Sequence, residues 1–481
     1  MIRGFLKTIS AVSLPLLAAG CATTANGVSD PYAGFVTVAA RTASVTGKEA
    51  VWVQSSGQAR AVGERVKHLV QKKTIGPDTA VQVALLNNKG LQAAYAEVGL
   101  SAADVWQETM PVNPTLSVGV TGIGIGRTVE SAVANNILAL ITKPRRVAVA
   151  DARFRQTQLR AAEETLKLAA DTRRAWINAV SAWETVAYLN KAQAAADAAS
   201  ELAQKLGETG ALTKTGQARE HVFYAELAGQ TAEARLAART AKEELTRLMG
   251  LWGSDTEYSV PNALPALPKG SKAKRTVEAD ALKNRVDLQV ARLELEALAK
   301  SYGLTEATRY LTDLEVLSGV EIEQEKEDGE TETTVSGNVE LEFVIPIFDT
   351  GKARMRKAEF GYMQAANLLA EKAVNVRSEA RSAYDAYRST EEIARHYRNN
   401  VVPLRTKIED ESLLTYNGMI TNTFELLADT RAKVNSIMLS INAKRNFWLA
   451  DVNLATAVYG GGASSGGSAP QAVAEDGGAG H

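Results

Sequence analysis

Cysteine is almost missing from this 481-residue chain, which has only Cys21. A lone thiol excludes an internal disulfide and any multi-cysteine metal site. The four histidines, His68, His221, His396 and His481, are scattered without the paired spacing a metal centre needs. No P-loop and no nucleophile elbow occurs. Gly122-Ile123-Gly124-Ile125-Gly126 has the look of a phosphate loop but sits in an alternating, strand-like stretch. The chain is therefore read as a non-enzyme that needs no cofactor. Charge of one sign is lacking too, since 54 basic and 55 acidic residues leave a net charge of −1. That balance removes the basic footprint of a nucleic-acid binder. Beyond residue 21 there is no run of eighteen apolar residues, so no membrane-crossing helix is expected. If the chain spans a bilayer, it must do so as a β-barrel.

Prolines number 12 and aromatics make up 6%, while alanine is conspicuous, which suits long, closely packed helices. A hydrophobic content of 45% against 23% charged residues excludes wholesale disorder. The N-terminus has the three parts of an export signal: Arg3 and Lys7, then the short apolar run Ile9 to Ala19, then Leu17-Ala18-Ala19-Gly20-Cys21. This last stretch resembles a bacterial lipobox, in which the cysteine is lipidated and becomes the mature N-terminus. It departs from that pattern in placing Leu17 four residues before the cysteine, with Ala18 at the usual third. The other reading is an ordinary signal with an incidental cysteine. Ala22 rather than Asp after the cysteine is, in such lipoproteins, the mark of outer-membrane sorting.

The division expected along the chain is residues 1–20 as signal, 21–74 as a lipidated N-terminal segment, 75–260 and 261–459 as two repeats, and 460–481 as a disordered Gly/Ser/Ala tail. Residues 22–60 are small and polar and show no period. One helical pattern runs from Asp78-Thr79 through Val81, Leu85, Leu91, Val98 and Val105 to the break at Asn113-Pro114. Strand-like pieces follow at 115–126 and from Ala132 to Ile141. Helices are then expected from about Arg146 to Leu206 and from Thr213 to Met249. The plan recurs after the linker Pro261–Lys274, with helical segments over 277–308, strands over 312–323 and 333–347, and helices over 351–416 and 421–458. Leu288-Gln289 stands 197 positions after Leu91-Gln92, which marks a duplication.

The second strand pair alternates with period two. Val335, Gly337, Val339, Leu341 and Phe343 share one face, and Ser336, Asn338, Glu340 and Glu342 the other; Leu314, Val316, Val320 and Ile322 likewise oppose Glu315, Glu321 and Glu323. Between the strands lies a hydrophilic turn centred on Asp328-Gly329. Four strands cannot close a barrel, and open edges are not tolerated in hydrocarbon. Three copies supplying about twelve strands would close one. In such a barrel Glu315, Glu340 and Glu342 face the lumen, while Glu321 and Glu323 either join them or stand above the membrane in the extracellular rim. The 67 residues from Gly351 to Asn417 make a helix of about 100 Å, whose apolar ladder steps by three and four as in a coiled coil.

The duplicated helix–strand–strand–helix–helix plan resembles the outer-membrane factor (TolC-like) efflux channels over about 75–460. Ala80-Val81-Gln82-Val83-Ala84-Leu85 with Asn87-Asn88, then Asn113-Pro114, look like the family's approach to its first strand. Ile345-Pro346-Ile347-Phe348-Asp349-Thr350-Gly351-Lys352 looks like its strand-to-helix junction. Tyr416-Asn417-Gly418 with Leu426-Leu427-Ala428 is similar to its periplasmic hairpin tip, and Gly210-Ala211-Leu212-Thr213 to the partner tip. The family often has proline where this chain has Lys89 and Val286, and an aspartate near the Leu-Leu pair where Phe424, Glu425 and Asp429 stand. The resemblance implies a fold that is mainly α with β. Long-helix hairpins form a trimeric α-barrel, and four strands per subunit join a shared β-barrel. It implies a passive conduit in the bacterial outer membrane, lipid-anchored and largely periplasmic, serving a periplasmic adaptor and an inner-membrane pump. Gly210, Ala211, Leu212, Gly418, Met419 and Ile420 are then the docking tips, and Phe424, Glu425 and Leu427 the gate candidates. A periplasmic coiled-coil scaffold lipoprotein is the competing reading.

Overall fold

The computed structural model describes residues 27–122, 126–210, 212–270, 276–327, 330–418 and 423–460. The expected signal with Cys21, the tip residues Ala211, Met419 and Ile420, the Asp328-Gly329 turn and the tail beyond Gly460 lie outside them. Eleven α-helices and four strands are found among the described residues: α1 Phe35–Thr46, α2 Ser56–Val70, α3 Pro77–Asn87, α4 Lys89–Thr109, β1 Thr115–Thr121, β2 Gly126–Asn136, α5 Ile137–Glu208, α6 Lys214–Leu248, α7 Val277–Asn284, α8 Val286–Ala307, β3 Leu314–Glu327, β4 Glu330–Phe343, α9 Lys352–His396, α10 Val402–Asn417 and α11 Thr423–Tyr459. The chain forms two compact units. Among the described residues, one takes those up to Val66, Leu85–Glu164 and Arg285–Ser378; the other takes Lys67–Ala84, Thr165–Asn284 and those from Glu379 onward. Each unit thus draws on both of the segments expected to be repeats, 75–260 and 261–459.

The first unit holds the whole sheet, antiparallel and in the order β1-β2-β3-β4. Its helices differ from the sequence expectation in three places. The segment expected to be featureless contains α1, whose Phe35, Val38 and Thr42 are buried at helical spacing. Phe35 packs on Tyr95 with ring centroids 4.8 Å apart. The single helix expected over 78–105 is in fact α3 and α4. Asn88, extended at φ −65° and ψ 121°, caps α4 by accepting from the Leu91 N–H. Arg285 adopts nearly the same angles, −65° and 120°, between α7 and α8. It stands 197 positions after Asn88, the same spacing that separates Leu91-Gln92 from Leu288-Gln289. Third, Ile137–Ile141, expected to end a strand, opens α5, which continues through Pro144. The proline has no N–H for the Leu140 carbonyl, and the helix forgoes that one bond rather than ending.

The second unit is a helical bundle. Tyr387, Phe447, Leu454 and Ala394 form one core cluster, with Tyr387 and Phe447 rings 5.5 Å apart. Leu189, Phe223, Leu227, Leu427 and Val434 form another. The helix expected to run unbroken over 351–416 holds a π-turn at Tyr397–Val401, where the Val402 N–H reaches the Tyr397 carbonyl. Pro403 follows at once and cannot donate to Asn399, and the wider turn absorbs that missing bond. Glu391, 2% exposed, is clamped by Arg388 at 3.2 Å and Arg395 at 2.8 Å. Arg395 also donates to the Pro268 carbonyl at 2.7 Å, tying the linker to α9.

Candidate functional site

Strand register decides what each face of the sheet carries. Ile322 pairs with Val335, Val316 with Leu341 and Leu314 with Phe343. Val129 pairs with Ile322 and Val120 with Val129. Leu116, Val118, Val120, Val129 and Val133 therefore share the face of the apolar residues of β3 and β4. That face is bare in one chain: Val339 is 80% exposed and Leu116 67%. The opposite face is acidic, as expected, and richer than expected. Glu315 stands directly across from Glu342, and Glu340 across from Leu317. Glu321 stands across from Glu130, which sequence reasoning missed because β2 was placed to begin at Ala132. Like charges directly opposed on a sheet are unfavourable. Asn136 relieves one pair, donating to Asp313 at 3.0 Å and to Glu315 at 3.4 Å. The hydrophilic stretch around the turn does not interrupt the ladder, because Glu327 pairs with Glu330. Backbone hydrogen bonds extend a hairpin whether or not its side chains are apolar.

The exit from β4 is a fixed corner. Gly351 has φ 71°, and a Cβ there would lie 2.7 Å from the Arg309 carbonyl oxygen, so glycine is required twice over. Asp349 accepts from the Gly351 N–H at 2.8 Å, and Arg309 donates to the Thr350 carbonyl at 3.2 Å. Phe348 just before this corner is 99% exposed.

The two hairpin turns lie in the helical unit. Gly210, at φ 74°, ends α5 by donating to the Gly207 carbonyl at 3.1 Å. Thr213 then caps α6, accepting from the Gly216 N–H at 3.1 Å. Leu212 is half-buried between them. Gly418, exposed, closes α10 by donating to the Leu414 carbonyl at 3.0 Å. Of the gate candidates, Phe424 lies in the first turn of α11 and Glu425 beside it is exposed. Leu427 instead packs inward, in the cluster with Phe223 and Leu189. Ser412 donates to Asp429 and joins α10 to α11.

A feature with no sequence signal lies beside that cluster. Glu220 on α6 is 5% exposed, and its Oε2 has no hydrogen-bond partner among the described residues. Burial pushes its carboxyl above the ordinary glutamate range, opposed by Arg431 and His221. Arg431 lies 5.0 Å over the Phe223 ring and 3.1 Å from Glu226, and His221 Nδ1 is 2.6 Å from Ser200 Oγ. A carboxyl with a raised folded pKa holds its proton longer folded than unfolded. Its contribution to stability therefore falls as pH rises from the ordinary glutamate value through the raised one. Glu220→Gln is expected to remove that slope and raise the thermal midpoint at pH 7. A midpoint at or below that of the parent would refute the assignment.

Among the described residues no group of three His, Cys, Asp or Glu could hold a metal ion, and no helix is long and apolar enough to cross a membrane. No protein-family model matches the chain, and no curated protein matches its sequence. Solved structures do match. A membrane protein from Pseudomonas aeruginosa has a TM-score of 0.68 at 15% identity, over 79% of this chain and 93% of that one. The Campylobacter jejuni CmeC outer membrane channel has a TM-score of 0.66 at 16% identity, over 82% and 87%. The outer membrane protein VceC of Vibrio cholerae has 0.64 at 15%, over 82% and 96%. The fold is thus the TolC-like one of outer-membrane channels, long helices joined to a four-stranded sheet.

Proposed function

We propose that this chain is the outer-membrane channel component of a tripartite efflux or secretion system, a member of the outer-membrane factor family that performs no catalytic step. The observation that carries this reading is the sheet: one face bare and apolar, the other acidic, and the outer edges of β1 and β4 unpaired among the described residues. A soluble protein would cover that apolar face; a bilayer covers it without further protein. β3 and β4, at 14 residues each, exceed the 9–11 that a tilted membrane strand needs. Three copies close the barrel and leave no edge in hydrocarbon. The helices that leave the sheet continue as a periplasmic conduit, and the driving energy comes from an inner-membrane pump. The test is conductance. Purified protein in planar bilayers, opened by charge substitution at the tips, should pass ionic current; a periplasmic coiled-coil scaffold would pass none.

Two finer assignments belong to this reading. Cys21 carries the lipid, because it is the one thiol and directly follows the export signal. Cys21→Ser should abolish incorporation of a radiolabelled fatty acid while the barrel still inserts, since the strands bury most of the apolar surface. Labelling that persists would sink the claim. The turns at Gly210–Leu212 and Gly418–Ile420 dock the adaptor, with Phe424 and Glu425 at the gate and Leu427 packed behind it. Leu212→Cys should crosslink to a periplasmic adaptor in cells. If only cysteines near the sheet crosslink, the orientation is reversed.

A further inference from the structure

One cleft in the sheet-bearing unit lies just on the helical side of the strands. It has a volume of about 440 Å³ and is lined by Arg145, Ala148, Lys300, Gly303, Glu306 and Ala307. α5 begins directly after β2 ends at Asn136, and α8 ends at Ala307 shortly before β3 begins at Leu314. If the sheet lies in the bilayer, this cleft is at headgroup level. We propose that it binds the headgroup of an ethanolamine phospholipid from the periplasm-facing leaflet. The inference rests on the channel reading and adds a ligand to it.

The chemistry favours a zwitterion. Arg145 is held in place by donating to the Gly303 carbonyl at 3.3 Å and offers its remaining N–H groups to a phosphate. Lys300 adds a second cation at the rim, its ammonium 2.9 Å from Glu296. Glu296 also binds Arg155 at 2.8 Å, so the surrounding charge is balanced rather than strongly positive. Glu306, exposed on α8, supplies an acceptor for an ammonium group. Gly303, Ala148 and Ala307 are small, which leaves the room. One helical turn nearer the strands on the Arg145 side of α5 is Ile141, 66% exposed, and beyond Ala307 comes Tyr310, 61% exposed. These apolar groups sit where acyl chains would descend, and a tyrosine at that level suits a membrane interface. A choline headgroup has the same phosphate but no N–H to give Glu306; a glycerol headgroup has no cation at all.

Full-length protein in detergent is incubated with equimolar ethanolamine, choline and glycerol phospholipids of identical chains, and the retained lipid is read by native mass spectrometry. The ethanolamine lipid is expected to be retained about tenfold over the choline lipid, the worth of one charge-assisted hydrogen bond. Glu306→Gln should bring that ratio close to one, and Arg145→Ala should lower retention of both. Equal retention by the parent protein overturns the proposal, as does preference for the glycerol lipid. An inter-subunit crosslink from Ala307→Cys with no lipid retained would also overturn it, by giving the cleft to a second copy. Conductance of the parent protein is measured in parallel. Conductance without the ethanolamine preference defeats this proposal alone, whereas failure to insert defeats the channel reading with it.

Discussion

Val339→Arg is expected to abolish assembly of the membrane-inserted form, while Asn338→Arg, one residue away, leaves it intact. The two side chains stand on opposite faces of β4, because Val339 pairs with Ser318 and Asn338 with Gly319. Arginine at the middle of a lipid-facing strand costs about 2–4 kcal/mol. In a three-subunit barrel that cost is paid in each copy, giving a total comparable with the whole stability of a domain. Asn338 has water in front of it if the acidic face is the lumen. The readout is the amount of protein in the outer-membrane fraction and the heat-dependent oligomer on a gel. Equal losses in both variants would mean that the faces are not lipid and lumen. Equal tolerance would point to a sheet that never meets a bilayer.

If the proposed channel is lined by the acidic face, replacing Glu130, Glu321, Glu315 and Glu342 with Gln is expected to remove most of its cation preference. These four make two directly opposed pairs in each chain, and the proposed three-copy barrel would present them as rings. Rings of carboxylates select cations, and the field of each falls off within a Debye length, about 10 Å at 0.1 M salt and 3 Å at 1 M. The reversal potential across a KCl gradient should therefore favour cations in the parent, weaken as salt rises, and approach zero in the variant. The same substitutions relieve cross-strand repulsion worth roughly 0.2–1 kcal/mol per pair, so the variant should resist denaturation somewhat better. Selectivity and strand stability thus move in opposite directions, which a merely destabilising set of mutations would not produce. Anion preference in the parent would refute the lumenal assignment.

Much of this was legible because local periodicity and backbone punctuation need no tertiary information. The two-residue alternation in Leu314–Ile322 and Val335–Phe343 and the hairpin breaks at Gly210 and Gly418 stand in the structure as the sequence implies, and two helices, two strands and long helices follow one another twice along the chain. What was missed has physical causes. α1 buries apolar side chains only at Phe35 and Val38, too few to mark a period until Tyr95 and Trp52 are brought against Phe35. The break at Asn88 hides inside a continuous apolar pattern, because the capping residue is polar and costs the stripe nothing. Pro144 reads as a stop, yet α5 tolerates it.

The sequence by itself determined the helical and strand periods, the two faces of β3 and β4, the doubled plan and the single thiol near the start. These are properties of neighbouring residues, and residue spacing along a helix or strand sets which side chains share a face. Tertiary structure alone decided that β2 pairs with β3, and so that Glu130 opposes Glu321 across the repeat boundary. It alone turned Leu427 into the helical core and left Glu220 Oε2 buried without a hydrogen-bond partner among the described residues. It alone brought Arg145 and Glu306, far apart in the chain, to one cleft. Register and burial depend on what lies across from a residue, and a linear sequence does not say what that is.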